Sequence, residues 1–510
     1  MKAVAATAAI LSMLAVAAMP SLAARHARHA KPVATPPPGS GAMFNPVPAL
    51  LPPQQPGQVS MTLDDALAIA YETNPQFAAQ QAALRATDEN VAIANSNWRP
   101  QIGAQGTYAY NQYYFFPIPT GSFPGQTGPV SSISAHPLQG ALTITQPIFR
   151  GGRTIAEIGR AKALVRAGRA QLLAAEQTVL LAAATAYMDV VRDTAIVTLR
   201  QHNVDVLQKQ LSSTQAEFSA GSLTRTDVAQ SQARLAVAVS DLTAARSQLQ
   251  TSRANFVQAI GREAETLEQE PGLPRGVPTT IDDSITLAVQ QNPSIISARE
   301  NEVAADYAID DAVGAMLPSV SVQGQYGYGQ GSLISPLGTA NVPDSGPPHT
   351  ANHFLAVTGQ LNVPIYQGGA EEAAVRQAKQ LHAESQFTVS LTDRQVRDAV
   401  ATAWAAFQAA QANIASNEAS EKANEIAYEG VYKEQQVGGR TILDVLNAEQ
   451  ELLNAAVSVV TAKRNAEVAA FQVLAANGAL TAKSLGLKVK LYDPLEYYDD
   501  NAARWIGLGD

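Results

Sequence analysis

Two short stretches decide the fold: AGSLTRTDV at residues 220–228 and VGGRTILDV at residues 437–445. Each lies between two long segments rich in Ala and Gln, which are residue types that favour helices. Gly221 and Gly438 lie 217 positions apart, so the second stretch is an echo of the first. Gly suits the left-handed residue that ends a helix, and Thr226 or an Asp can cap the helix that follows. We therefore predict that both stretches are the tight tips of long helical hairpins.

The echo extends outward from the tips, which indicates one duplicated unit rather than several unrelated domains. Each half opens with a Thr-x-x-Asp capping box, at Thr62 and at Thr280, and an Asn-Pro helix start follows each box. Long helices are predicted over about 153–219, 226–260 and 370–436. After each tip, apolar residues recur every seven positions, as in helices that supercoil against their neighbours. The two series are Val228, Leu235, Leu242, Leu249 and Phe256, and Val445, Leu452, Val459, Ala466 and Val473.

After Pro100, and again after Pro318, the apolar period changes from 3.6 to 2. Apolar and polar residues that alternate over about ten positions are typical of a transmembrane β-strand. The predicted strands cover about 101–111, 140–149, 319–328 and 353–365, with loops over 112–138 and 329–352. On the apolar face Ile102, Ala104, Gly106, Tyr108 and Tyr110 match Val320, Val322, Gly324, Tyr326 and Tyr328.

The duplication and the composition divide the chain into six parts. Residues 1–23 have the charged start, apolar run and small-residue cleavage site of a secretory signal peptide. A Pro- and Ala-rich disordered linker follows over 24–59. The first repeat covers 60–261, with a β-hairpin at about 100–149 and a tip at 220–227, and a connector over 262–279 follows it. The second repeat covers 280–480, with a β-hairpin at about 318–366 and a tip at 437–444, and the C-terminal tail covers 481–510.

The composition excludes several classes of function. A net charge of −9 makes nucleic acid an unsuitable partner. The chain has no Cys, so it has neither disulfides nor the Cys on which a bacterial lipid anchor is built. With no metal-spaced His cluster, phosphate loop or nucleophile elbow, we expect no enzyme activity, cofactor or metal. The best apolar stretch, at residues 172–188, contains Glu176 and Gln177, so strands must make any membrane span.

Four strands per chain are too few to close a barrel, for which a single chain needs about eight. Because open strand edges are not tolerated in lipid, several copies must share one barrel, and three copies give twelve strands. The sequence thus predicts an internally duplicated, mixed α and β membrane protein. Its strands form part of a shared barrel, and its helices extend away from the membrane as a wall. The alternative is a pore-free periplasmic coiled-coil adaptor or scaffold, which would explain the hairpins but not the strands.

On these features the chain resembles the outer-membrane efflux protein (TolC) family. The resemblance rests on TLDDAL at 62–67, PIFRGG at 147–152 with its echo PIYQGG at 364–369, and VGGRTILDVL at 437–446. It implies a homotrimer with a twelve-stranded barrel in the outer membrane and a long α-helical barrel in the periplasm. Such proteins are passive exit ducts that dock through their helical tips onto a periplasmic adaptor. The adaptor is tied to an ABC-type or proton-driven pump in the inner membrane.

The resemblance also implies a periplasmic gate, in which an Arg and Asp residues of the second hairpin hold the entrance closed. The matching positions here are Arg440 and Asp444. A second family acid is replaced by Asn447 and the family's network Tyr by Gln435, so the closing network is partly altered. Three Asp444 copies around one axis would repel unless they were paired. The alternative is that Asp444 only caps its helix, and for Asp227 we prefer that interpretation.

The exposed hairpin tips are the predicted contact surface for the adaptor, although ordinary turn chemistry would also explain their composition. The tip residues are Gly221, Ser222, Leu223, Thr224, Gly438 and Gly439. The cargo stays open between secreted proteins and small molecules. The missing lipid-anchor Cys and the Arg-Thr-x-x-Asp pattern of the second tip favour the type I secretion branch of the family.

Overall fold

The computed structural model describes residues 60–115, 131–269, 271–330 and 351–507. The predicted signal peptide over 1–23 and the linker over 24–59 lie outside the described residues. So do residues 116–130 of the first predicted loop, residues 331–350 of the second, and residues 270 and 508–510.

Ten helices and six strands follow one another within the described residues. In chain order they are α1 (Leu63–Thr73), α2 (Pro75–Ser96), β1 (Gln101–Tyr108), β2 (Asn111–Phe115), β3 (Ser131–Ala135), β4 (Leu138–Arg150), α3 (Arg153–Ser219), α4 (Arg225–Ile260), α5 (Ile281–Gln291), α6 (Pro293–Ala315), β5 (Ser319–Gln330), β6 (Ala351–Asn362), α7 (Ala370–Gln436), α8 (Ile442–Ala476), α9 (Ala482–Leu485) and α10 (Glu496–Asn501).

Local caps explain where the short helices begin. The Thr62 side chain and Asp65 form a complete capping box at α1. At α5 the Thr280 hydroxyl also accepts the N–H of the third helical residue, 3.1 Å away. Asn74 and Asn292 cap α2 and α6 by accepting the N–H of the second helical residue, and each of these helices has Pro at its first position. These predicted helix starts are confirmed in both repeats.

The long helices α3 and α7 each contain 67 residues, which corresponds to roughly 100 Å of length. Their predicted limits are confirmed. Helix α4 begins at Arg225 because Thr224, and not Thr226, is its cap. The Thr224 hydroxyl accepts the N–H of Asp227, and the Asp227 carboxylate accepts the N–H of Thr224 at 2.9 Å. The prediction for Thr226 was wrong because the Thr-x-x-Asp box already begins at Thr224.

Four strands form one antiparallel sheet in the order β1-β4-β5-β6. The hairpins β1/β4 and β5/β6 belong to the two repeats, and β4 pairs with β5 where the repeats meet. In the predicted first loop, residues 111–115 pair with residues 131–135 as a separate two-stranded sheet. This hairpin is therefore longer than predicted, in keeping with the aromatic residues of β2, which favour strands. Strand β6 ends at Asn362, before Pro364, which has no N–H for the ladder.

In the part of the helical layer next to the sheet, the helices pack side by side in the order α2-α3-α6-α7. Further from the sheet the order is α4-α3-α8-α7. The largest core cluster lies around α1, α3, α4 and α8, and its fully buried side chains include Leu67, Tyr187, Phe256 and Phe471. Every member of the two predicted heptad series is buried or half-buried, which confirms the inward face of α4 and α8. No helix among the described residues is long and apolar enough to cross a membrane.

The C-terminal tail, for which the sequence offered no interpretation, runs back along the first repeat. The Ala482 N–H donates to the buried Glu176 carboxylate at 2.7 Å. Further along, the Tyr492 N–H donates to the Tyr71 hydroxyl at 3.1 Å, and helix α10 packs against α2. We call residues 486–507 the strap.

Candidate functional site

The four-stranded sheet has one apolar face. Residues paired directly across antiparallel strands point to the same side of the sheet, so the register defines this face. Its rows include Ile102, Ile144, Gly324 and Val357, and then Ala104, Leu142, Tyr326 and Leu355. No other part of the described chain covers this face: Ile102 is 68%, Val357 75% and Leu355 78% exposed. A continuous exposed apolar surface of this kind is suited to contact with lipid.

The opposite face of the same strands is mainly polar. It carries Gln101, Gln105, Thr107, Thr143, Thr145, Gln323, Gln325, Thr358 and Gln360. Alternation of an apolar outer face and a polar inner face is the arrangement of a barrel with a water-filled interior. The predicted alternation of both hairpins is therefore confirmed by the register.

Aromatic side chains border the apolar face at both ends. Tyr108 and Tyr326 lie towards the hairpin loops, and both are exposed. Trp98, Phe149 and Tyr366 lie where the strands join the helices, and their exposed fractions are 43, 45 and 80%. From Ile102 to Tyr108 the strand covers roughly 20 Å, which is close to the roughly 25 Å apolar band of outer-membrane barrels. The two aromatic borders thus have the positions of interfacial girdles.

At the other end of the molecule, Gly221 and Gly438 turn the chain between the long helices. Their φ angles of 82° and 78° lie in the left-handed region, where a side chain would add strain. The tip residues Ser222 and Thr224 are exposed, and the Ser222 hydroxyl donates to the Glu217 carbonyl at 2.9 Å. The structure places all six predicted tip residues at the turns, as the sequence indicated.

The two predicted gate residues lie on the second tip, but each bonds to a different partner within the protomer. Nε of Arg440 donates to the Glu434 carboxylate at 2.9 Å, and this bond raises the pKa of Arg440. The Asp444 carboxylate accepts both the hydroxyl and the N–H of Thr441, and these hydrogen bonds lower its pKa. Arg440 also lowers the pKa of Asp444 through its charge. Asp444 is therefore a helix cap within one protomer, with Arg440 close enough for electrostatic attraction.

The third predicted gate position, Asn447, links the two hairpins. Its side-chain oxygen accepts a hydrogen bond from Nη2 of Arg234, a residue of α4, at 2.7 Å. The neighbouring Leu446 packs with Leu207 and Leu242 of the first hairpin. Sequence reasoning missed Arg234, because nothing in a local pattern relates two residues 213 positions apart.

Comparison with known proteins agrees with this architecture. A model of the outer membrane efflux protein family matches the chain twice, over residues 66–262 and 284–479. The outer membrane efflux protein BepC of Brucella suis is 34% identical over 454 residues, which cover 88% of this chain and 92% of BepC. The outer membrane protein TolC of Escherichia coli is 25% identical over 442 residues, which cover 84% of this chain and 85% of TolC.

A solved structure gives the same fold. The crystal structure of the Campylobacter jejuni CmeC outer membrane channel superposes with a TM-score of 0.68 at 18% sequence identity. The superposition covers 92% of this chain and 98% of that channel. The match therefore extends over the strands, the long hairpins and the helices between them.

The sheet has an apolar face and a polar face, and its strands continue into helices of roughly 100 Å. This combination defines the subunit of an outer-membrane channel that reaches into the periplasm. The chain belongs to the outer membrane efflux protein family. It resides in the outer membrane and serves as an efflux or secretion channel, and the predicted membership of this family is confirmed. The family consists of channel proteins.

Proposed function

We propose that three copies of the chain form one passive exit duct, with a shared twelve-stranded barrel and a periplasmic barrel of helices. The observation that carries the proposal is the sheet with two unpaired edges. Among the described strands, β1 pairs only with β4, and β6 pairs only with β5. Unpaired backbone groups in lipid cost several kcal/mol each, so neighbouring subunits must supply the missing partners.

The duplication sets the register of the junction between subunits. Strand β4 meets β5 where the first repeat joins the second, and β6 would meet the neighbour's β1 in the same way. Within one chain, Thr143 pairs with Gln325. Gln360 is the second-repeat equivalent of Thr143, 217 positions later, and Thr107 is the first-repeat equivalent of Gln325, 218 positions earlier. The same register would therefore pair Gln360 with the partner subunit's Thr107.

The helices also expose apolar edges that suit assembly. On α7, Phe387 is 75% and Ile426 is 65% exposed. On α4, at the other edge of the helical layer, Val237 is 54% exposed. Burial of such side chains contributes about 25 cal/mol for each Å² removed from water. Packing of α7 against the first-repeat edge of a neighbour would close the helices into a ring, pseudo-sixfold for three duplicated chains.

The hairpin tips are the proposed docking surface for a periplasmic adaptor, which connects the duct to an ABC-type or proton-driven inner-membrane pump. Their exposure and their distance from the membrane, roughly 100 Å along α3 and α7, support this role. Since the chain has no native Cys, Ser222→Cys offers a single attachment site for a thiol crosslinker. Ser222→Cys should crosslink to the co-expressed adaptor, whereas Ser240→Cys, an exposed position further up α4, should not.

Arg440 and Asp444 are the proposed gate, supported by their place on the second tip and by the attraction between their charges. In this proposal the three second tips meet at the pore axis, where Arg440 offsets the repulsion between Asp444 copies. The rival interpretation is that Asp444 acts only as a helix cap. Planar-bilayer conductance separates the two, because Thr441→Ala removes the cap and keeps the charge.

If the gate proposal holds, Arg440→Ala and Asp444→Ala raise the conductance of the closed channel, and Thr441→Ala leaves it near the wild-type value. If Thr441→Ala leaks as much as Asp444→Ala, the cap and not the charge keeps the entrance closed. Unchanged closed-state conductance in both charge variants would end the gate proposal.

The cargo of the duct is either a secreted protein or a set of small molecules. The Arg-Thr-x-x-Asp tip and the absence of Cys support the secretion branch, whereas the name of BepC records efflux. Deletion of the gene should either remove a protein from the culture medium or raise the accumulation of small dyes and drugs inside the cell. Restoration of the lost transport by the wild-type chain completes the assignment.

A further inference from the structure

A histidine between two tyrosines lies at the loop end of the first hairpin. The Tyr108 hydroxyl is 3.3 Å from Nδ1 of His136. The rings of Tyr110 and His136 have centroids 5.1 Å apart and are tilted by 50°. All three side chains are exposed. The two tyrosines thus hold the imidazole ring without burying it.

The second hairpin repeats the same arrangement. The Tyr326 hydroxyl is 2.9 Å from Nδ1 of His353, and the Tyr328 ring lies 5.1 Å from the His353 ring at 50°. The tyrosines are separated by 218 positions and the histidines by 217. Among the described strand and turn residues between Gln101 and Phe149, and between Ser319 and Asn362, these two histidines alone can carry positive charge. Each hairpin thus places one histidine between two tyrosines on a surface that is otherwise uncharged. This repetition indicates a binding site.

The clusters lie on the apolar face of the sheet. His353 is paired through Tyr328 with Gly140, in the row above Leu142 and Leu355. Gly140 of β4 lies four residues after His136, which precedes the start of β4 at Leu138. In a barrel with tilted strands, such an offset across two strands is what brings equivalent residues to one height around the axis. Three subunits would therefore display six clusters in one ring at the outer border of the apolar band.

The chemistry of each cluster suits an anionic oxygen. In the tautomer whose Nδ1 accepts the Tyr hydroxyl, the imidazole proton is on Nε2, which has no hydrogen-bond partner among the described residues. We propose that each Tyr–His–Tyr cluster binds a phosphate of a lipid headgroup in the outer leaflet of the outer membrane. Lipid is the occupant because the apolar rows that contact acyl chains continue directly up to the cluster.

This inference rests on the proposed barrel, so its test includes a separate readout of the barrel. The full-length protein is reconstituted in phosphatidylcholine nanodiscs with either diphosphorylated lipid A or the same glycolipid without phosphates. Native mass spectrometry then counts the glycolipid molecules retained by the trimer. Trimer mass and channel conductance are recorded on the same samples. Loss of both would count against the duct and not specifically against the phosphate sites.

The wild-type protein should retain the phosphorylated glycolipid and release most of the phosphate-free form. The double variant His136→Phe and His353→Phe keeps the aromatic contacts and removes the donors. Its retention of the phosphorylated lipid should fall about tenfold, as expected when a hydrogen bond to a charged group is lost. His202→Phe, an exposed helical histidine far from the sheet, is the matched control and should retain lipid like the wild type.

Two results would overturn the inference. The first is equal retention of the phosphorylated and phosphate-free glycolipids by the wild-type trimer, which needs no variant at all. The second is unchanged retention by the double variant with an intact trimer, which would leave the clusters a purely structural role in the hairpins. If the double variant does not assemble, the wild-type comparison alone decides.

Discussion

Helices α3 and α7 occupy equivalent places in the two repeats and have the same length, yet their surroundings differ. Twenty-four residues of α3 are buried, against six of α7. Among the described elements, helix α3 packs mainly against α1, α2, α4, α6 and α8, whereas α7 packs mainly against α5, α6 and α8. Duplication thus produced two similar helices, of which one became the centre of the protomer and the other its edge. The uncovered apolar side chains of α7 are those expected of a surface that a neighbouring subunit covers in the proposed trimer.

A second difference concerns the strap, whose described hydrogen bonds to other elements all go to the first repeat. The guanidinium of Arg85 lies over the rings of Tyr492 and Tyr497, at 5.6 and 5.7 Å. Arg169 lies 5.0 Å from the Tyr498 ring. The equivalent positions in the second repeat hold Val303 and Gln386, which cannot form such contacts. The strap is therefore a device by which the first repeat is stabilised within its own chain.

The largest expected effect of a substitution is at α7, the helix at the edge of the protomer. Phe387→Asp places a carboxylate where α7 is proposed to meet its neighbour, so it removes an apolar contact worth about 2 kcal/mol and adds an unpaired charge. We expect loss of the heat-modifiable trimer on denaturing gels and a folded helical protomer by circular dichroism. Phe387→Leu, the matched control, should still migrate as a trimer. Normal trimers of Phe387→Asp would mean that α7 is not an assembly surface.

The next effect is at the strap. Tyr498 is half-buried and packs on the apolar cluster of Val91, Ala94 and Val165, so Tyr498→Ala should cost roughly 2 kcal/mol of local stability. Hydrogen exchange should accelerate in α2 and remain unchanged in its counterpart α6. Trp505→Ala removes a more exposed ring of the same strap and should have a smaller effect. Equal acceleration in α2 and α6 would show that the strap supports both repeats and would remove the contrast between them.

A pH-dependent difference is expected at Asp88, which is 2% exposed between α2 and its neighbours. Burial raises its pKa from 3.8 to about 6, although the charges of Arg169 and Glu89 also act on it. Because the native state binds the proton more tightly than the unfolded chain, stability falls as the pH rises from about 4 to about 6. Asp88→Asn cannot ionise, so above pH 6 it should be more stable by on the order of 2 kcal/mol.

Thermal dissociation of the proposed trimer, measured from pH 4 to pH 8, tests this expectation. The midpoint of Asp88→Asn should exceed that of the wild type at pH 8 and approach it near pH 4. Asp306→Asn, at the exposed equivalent position of the second repeat, should follow the wild type throughout. An advantage of Asp88→Asn that does not change with pH would contradict the assignment to ionisation.

The smallest expected effect is at the caps, where the repeats are alike. Thr224→Ala and Thr441→Ala each remove one side of a capping box, at a cost of about 1 kcal/mol. Amide exchange should rise in the first turn of α4 in the one variant and of α8 in the other, by similar factors. A much larger effect at Thr441 would mean that this cap is coupled to the rest of the second tip.

The features that could be predicted from the sequence are those that depend on local periodicity. The two faces of each strand follow from the alternation of apolar and polar residues. The limits of α3 and α7 follow from the Gly-Gly pair before each helix and the Gly-containing tip after it. The Tyr and apolar positions of β1 recur in β5, so the duplication was visible without any structure. Local reasoning failed at Thr226 only because two overlapping Thr positions competed for one cap.

The features that could not be predicted depend on contacts between distant residues. The Asn95 side chain donates to the carbonyl of Ala502, 407 positions away. No repeat or periodicity in the tail predicts this contact. The hydrogen bond between Arg234 and Asn447, which joins the two hairpins, is likewise not predicted by any local pattern. The aromatic residues of the tail, Tyr492, Tyr497, Tyr498 and Trp505, form the one sequence pattern that could have indicated packing against another element. It did not identify arginines of the first repeat as the partner.

The most direct test of the shared barrel is an engineered disulfide across the proposed junction between subunits. Thr107→Cys combined with Gln360→Cys is the pair that the repeat register assigns to adjacent subunits, and the chain has no native Cys to interfere. On non-reducing denaturing gels, oxidised outer membranes should yield covalent dimers and trimers that collapse to monomers on reduction. Gly103→Cys with Gln360→Cys, four residues out of register, should remain monomeric. Monomers alone for the first pair, or equal crosslinking of the second, would contradict the account.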